Sequence, residues 1–294
     1  MADITRGFDH IFTDSSVNSL IIPPVPMKHD EKIRFVHISV DSRERNSQKY
    51  ENPNSYVISM NEPINDVVSV ELLSTIVPFT RYLIHSHNNR LHFKKGDGVE
   101  EVITIPEGDY NVAQLVETIN TLFTDISCQI SDTKTKRMRF DSDSNFSLLF
   151  EGLECKEDDG STYNKLKNKS IGYVLGFRNK DVDSIMIGAR HEVHANYPVK
   201  LNKDDYVVLK LDNVNIYSSN CKSLNKAFAI ICRNPDTTNV NYTESIVKRL
   251  NPPLATLYRL RISFNDFDGN LYDFNNNDHR IELKIGILKS GRRT

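Results

Sequence analysis

Apolar and polar positions alternate along most of this chain in short runs, and that pattern predicts strands from about residue 33 onward. Residues 1–31 are different: they keep no period of 2 or 3.6 and are broken by Pro23, Pro24 and Pro26, so they read as an extended N-terminal arm without a core of its own. Residues 33–40 predict a strand that runs into the polar loop Asp41-Ser42-Arg43-Glu44-Arg45-Asn46. Residues 56–60 and the β-branched run 67–77, stopped by Pro78, predict two further strands of the same sheet system. Residues 91–93 and 102–105 flank Gly96-Asp97-Gly98, where a positive φ costs little, and predict a hairpin.

One segment follows the helical period. Asn111 can cap a helix over residues 112–123 whose third position is Gln114 and whose Val112, Leu115, Ile119 and Leu122 share a face. Short strands are then predicted at 126–130, 137–141 and 146–150, followed by an acidic exposed loop at 151–161. Residues 170–177 suggest one helical turn capped by Ser170 and closed by Gly176. Strands return at 206–211, 227–232, 255–264, 271–274 and 279–288, with Asp266-Phe267-Asp268-Gly269 and Asn275-Asn276-Asn277-Asp278 as corners. About a dozen strands at a spacing near ten residues, without alternating helices, predict a mainly β protein. The expected form is an antiparallel, jelly-roll-like sandwich with a helical insertion and an N-terminal arm. The domain plan is an arm (1–31), a β-rich body (32–288) with a candidate break near 151–165, and a basic tail (289–294).

Composition narrows the function classes. At 294 residues the chain can bury a core without disulfides or metals. Its 37 Lys+Arg against 39 Asp+Glu give a net charge of -2, which argues against a dedicated DNA binder or an anionic-membrane binder. The N-terminus lacks a signal-peptide pattern, and no apolar run is long enough to span a bilayer. The four cysteines form no C-x-x-C pair, so reduced thiols in a cytosolic compartment are expected rather than a zinc knuckle or a disulfide framework.

Candidate chemistry is sparse. Aligning Gly269 with the sixth position of an EF-hand puts Phe264 and Asn275 where carboxylates are needed, so Asp266–Gly269 reads as a turn. His85, His87 and His92, and the pair in His191-Glu192-Val193-His194, miss the zincin spacing and read as solvated loop histidines. Neither G-x-S-x-G, a P-loop nor G-x-G-x-x-G is present, so no catalytic, cofactor-binding or metal residue is assigned and no enzyme activity is expected. Lys134, Lys136, Arg137 and Arg139 read as a solvated hairpin edge that discourages strand pairing. In the arm, Phe8, Phe12 and Leu20-Ile21-Ile22-Pro23-Pro24-Val25-Pro26 are apolar outside any predicted element, which suits docking along a partner by strand addition.

Several motifs, in their order and spacing, resemble the minor capsid proteins of nucleocytoplasmic large DNA viruses of algae and amoebae. They are Asp41-Ser42-Arg43-Glu44-Arg45-Asn46 with Pro53-Asn54-Ser55-Tyr56, and Ser69-Val70-Glu71-Leu72 with Pro78, Tyr82 and Asn88-Asn89. Ile105-Pro106-Glu107-Gly108-Asp109-Tyr110, Leu175-Gly176-Phe177, and Asp268-Gly269 leading to Tyr272-Asp273-Phe274-Asn275-Asn276 and Asp278-His279 extend the match over residues 33–288. The resemblance implies a structural virion protein, a minor capsid or cement subunit in or beneath the shell, assembled in the host cytoplasm. Its implied partners are the major capsid protein and other minor capsid proteins. Peripheral contact with an internal membrane and self-association fit the same picture, and sequence-specific nucleic-acid binding does not. The alternatives are a vertex penton protein of the same capsid and, from another class, a β-sandwich glycan-binding module or glycosidase. The interface candidates are Phe8, Phe12, Ile21 and Ile22 in the arm and Arg43 and Arg45 in the loop.

Overall fold

The computed structural model describes residues 33–289 apart from 132–133, 151–153, 157–161, 165–169, 178–179, 202–204, 213, 215, 220, 222–223 and 234–238. The arm, and residues 290–294 of the tail, lie outside the described residues. In chain order the elements begin with β1 (Ile33–Asp41), β2 (Ser55–Ile76), β3 (Arg90–Lys95), β4 (Glu100–Thr104) and α1 (Val112–Leu122). Next come β5 (Ser127–Ile130), β6 (Arg137–Ser142), β7 (Phe146–Leu149), β8 (Glu154–Lys156), β9 (Thr162–Asn164) and α2 (Gly172–Leu175). The chain continues with β10 (Val182–Asp183), β11 (Ile185–Ile187), β12 (Arg190–Pro198), β13 (Tyr206–Leu211), β14 (Ala229–Cys232), β15 (Asn239–Asn265) and β16 (Arg280–Leu288). The protein is mainly β and its sheets are antiparallel, as the alternation predicts.

The largest sheet has the order β1-β16-β2-β15-β13-β14 and curls into a half-barrel. Its spine is the pairing of β2 with β15, from Ser55 opposite Ser263 to Ile76 opposite Asn239. The two strands expected at 56–60 and 67–77 are therefore one, and the strand expected at 255–264 begins sixteen residues earlier, at Asn239. The sequence hid this because Pro63, Pro252 and Pro253 lack a ladder donor. They fall where the register slips, between Leu257/Arg259 and Arg249/Leu254 on β15, so the strands pass them as irregularities instead of ending. The inward residues of this sheet, among them Val70, Leu72, Leu209, Ile262 and Leu283, form the first hydrophobic core.

A second core is built from the segment between β2 and β13. The sheets β10-β7-β3-β4 and β11-β12-β6-β5 both turn apolar faces into it, together with α1 and α2. Phe140 is fully buried there, edge-on to Phe123 at 6.3 Å and tilted on Phe177 at 5.8 Å, and Phe177 stacks on Phe150 at 5.1 Å. Phe150 and Ile171, on either side of the acidic stretch, belong to this same core.

Local signals are met closely. Asn111 and Gln114 form the reciprocal capping box of α1, with contacts of 2.9 and 3.0 Å. Leu115 and Ile119 are buried, but Leu122 is exposed and Phe123 takes its place in the core, which shifts the buried face by one position. Gly176 closes α2 at φ 87°, and a side chain there would strike the Tyr197 carbonyl oxygen. The strand expected at 271–274 is reduced to one bridge, Asn265 to Leu271, because Tyr272 and Phe274 are buried by ring packing against Phe79 and Phe264 rather than by a ladder.

Candidate functional site

The loop after β1 is organised by two arginines that do different work. Asp41 caps the 3-10 turn Ser42–Glu44, accepting from the Arg43 backbone N–H at 3.0 Å and from its guanidinium at 2.9 and 2.5 Å. Those hydrogen bonds hold the Asp41 carboxyl down at about 2. The Arg43 side chain is 71% exposed, so water screens the pair and Arg43 remains a surface cation.

Arg45 is turned inward and is only 9% exposed. It donates to the carbonyls of Tyr50 (3.1 Å), Ser42 (2.9 Å) and Glu51 (2.9 Å) and to Asp278 Oδ1 (2.9 Å). One side chain thus ties the exit of β1, the following loop and the approach to β16. Ser42 completes the knot by donating from Oγ to Asp278 at 2.7 Å and accepting from the His279 N–H at 3.0 Å.

His279 sits among Tyr56, Phe264 and Phe274. Its Nε2 lies 2.9 Å from the Pro53 carbonyl, which can only accept, so Nε2 carries the proton. Its Nδ1 is buried without a hydrogen-bond partner among the described residues, and burial pushes the imidazole down to about 4. The knot fixes the fold at a position where the sequence suggested an interface. Of the interface candidates, Arg43 is presented to solvent and Arg45 is not, while Phe8, Phe12, Ile21 and Ile22 lie outside the described residues.

The histidine groups are not solvated loops throughout, as the sequence suggested. His92 is buried on β3 with Nδ1 2.7 Å from Glu100, and His191 and His194 stand on β12, where His194 contacts Glu192 at 2.7 Å. His85 is pushed down to about 3 by burial. Among the described residues no group of three His, Cys, Asp or Glu could hold a metal ion. Asp266 is committed to its turn, accepting from the Asn270 N–H at 2.9 Å and from buried Arg81 at 2.7 Å, with Arg81 also over the Tyr272 ring at 4.9 Å.

Two strand edges are the surfaces that the sequence did not single out. Among the described residues β1 pairs only with β16, and its Ile33 and Phe35 are 44% and 52% exposed. Gly286 faces Phe35 on β16, leaving room for Phe35 to spread over the strand, and Lys284 Nζ lies 4.5 Å from its ring. Among the described residues β11 pairs only with β12, and Ile185, Met186 and Ile187 are all exposed. Unpaired N–H and C=O groups beside exposed apolar side chains are the chemistry of strand addition. The sequence signal was the run Ile185-Met186-Ile187, hidden by its shortness. Among the described residues no helix is long and apolar enough to cross a membrane.

No curated protein matches the chain. Among solved structures, the penton protein of mavirus aligns over 87% of this chain and 99% of its own at 11% identity, with a TM-score of 0.32. The D1-D2-D3 domains of the flagellar cap protein FliD from Escherichia coli align over 85% of this chain and 54% of their own at 10% identity, with a TM-score of 0.17. At these scores neither alignment carries a fold or a function over. In contrast, residues 27–182, more than half of the chain, match the model of a family of unknown function, DUF5901, and the chain belongs to that family.

Proposed function

We propose that this protein is a non-enzymatic structural virion protein, a minor capsid subunit that ties major capsid capsomers together through extended interfaces. The observation that carries the reading is the pair of apolar sheet edges, β1 and β11, which lie on two different sheets of one subunit and have no second neighbouring strand among the described residues. Two such edges let one copy engage two neighbours, and modest contacts repeated through a symmetric shell add by effective concentration. The residue-pattern resemblance supports the same reading. Its motifs serve the fold: Asp109 accepts from the Leu83 N–H at 2.9 Å, Gly108 bridges Ile84, and Arg45 and Asp278 form the knot above. Recognition is left to the surfaces between them.

The test is quantitative mass spectrometry of purified particles of the encoding virus after cross-linking. Many copies linked through β1 or β11 to the major capsid protein are expected. One pentamer per vertex would reassign the chain to the penton, and absence from particles would refute a capsid role. Removal of residues 1–31 is expected to leave the body folded and lower incorporation.

A further inference from the structure

Beneath residues 46–50, against β2 and β15, the first sheet leaves a cavity of about 620 Å³. That volume is in the range of sites that hold a ligand or a few residues of peptide. Val70, Val214 and Leu257 make a buried apolar floor. Exposed Lys49, Arg259 and Arg261 line the cavity with Tyr50 and Tyr258, and among the described lining residues the one carboxylate, Asp212, stays 3.9 Å from Arg261. Among the described residues neither Lys49 nor Arg259 is paired with a carboxylate; their close contacts are with the Tyr50 and Tyr258 rings, at 5.4 and 5.7 Å.

We propose that this cavity binds a short acidic peptide segment in which carboxylates alternate with apolar side chains. Two uncompensated cations call for negative charge, while the aliphatic floor has nothing to offer a bare phosphate or sulfate. The backbone adds a further reason to expect peptide. β13 pairs with β15 only from Ile262 to Asn265, so beyond the Arg261 carbonyl, which accepts from the Asp212 N–H at 3.2 Å, β15 has a described partner on one side only where it lines the cavity. An extended segment laid there gains hydrogen bonds from β15 as well as ion pairs from alternate residues. This deepens the assembly reading by naming what a partner would present, and rests on it only for who supplies the segment.

A synthetic hexapeptide, Leu-Asp-Leu-Asp-Leu-Ser, carries the required pattern and serves as the fluorescent probe. The receptor is the full-length protein. Fluorescence anisotropy is expected to show saturable binding that weakens about tenfold or more, about 1.4 kcal/mol per tenfold, in Arg259→Glu/Arg261→Glu and in the loop variant Lys49→Glu. A probe with both aspartates changed to asparagine is expected to lose binding to a similar degree. Melting curves of each receptor exclude misfolding as the cause. Binding within twofold in both receptor variants, an Asn probe that binds as tightly, or displacement of the probe by millimolar inorganic phosphate would each overturn the proposal. Probe binding by a chain that is absent from particles would sink the capsid role and leave the cavity assignment standing; incorporation without probe binding would do the reverse.

Discussion

The first core is walled by strands as long as the 27 residues of β15, paired with partners far away in the chain, whereas the second is enclosed by strands of nine residues or fewer and two helices drawn from a continuous segment. The difference separates two ways of making a β core. The first sheet closes only after residues near both ends of the body have met, which costs loop entropy before contacts reward it. The second can collapse from neighbours in sequence around its phenylalanines. We therefore expect the second core to form first and to unfold as its own cooperative unit.

The strongest way to break that comparison is Phe140→Ala. Loss of a fully buried ring is expected to cost about 4 kcal/mol, with faster hydrogen exchange confined to β3–β12. Equal loss of protection in β2 and β15 would show that the cores are not separable. Next, Arg81→Ala leaves Asp266 buried without its cation and should cost about 3 kcal/mol in urea denaturation, on the first core.

The third test is pH. The unfolded His279 imidazole titrates near 6.5 and the folded one near 4, so between those values the unfolded chain binds more protons and stability falls as pH drops. About 2 kcal/mol should be lost from pH 7 to 5. His279→Gln should flatten this response in the first core, while burial of His85 keeps a decline of the same sign in the second. Asp41, held at about 2, adds its own loss below pH 3.8.

Smaller effects sharpen the picture at the surface. Arg45→Ala should cost about 1.5 to 2 kcal/mol through its lost hydrogen bonds, while Arg43→Ala should leave the denaturation midpoint in place. Ile187→Lys on the β11 edge should shift stability by no more than about 0.5 kcal/mol yet reduce incorporation into particles.

Features written in neighbouring residues were legible in the sequence: the capping box of α1, the glycine closure of α2 and the β3–β4 hairpin. Features settled across the chain were not. Pro63 and Pro252-Pro253 look like strand ends until the register slip that absorbs them is seen. β12 reads as a loop because only Val193 and Ala195 of its pattern face the core, the outward positions carrying His and Glu. The loop arginines were found, but which one turns inward depends on Asp278, 233 residues away. The cavity is invisible for the same reason, since Lys49 and Arg259 meet only through the fold.

The register that places Ile33 directly opposite Leu288 has a mechanical consequence. Tension entering through the chain before β1 and leaving through the chain after β16 would act on that pair first and peel the strands apart one bond at a time. The same pull applied along β2 against β15 would load the bonds of a ladder that runs from Ser55 to Ile76 in shear, all together. A subunit held by its ends would therefore yield at β1, and one held through its central ribbon would bear load.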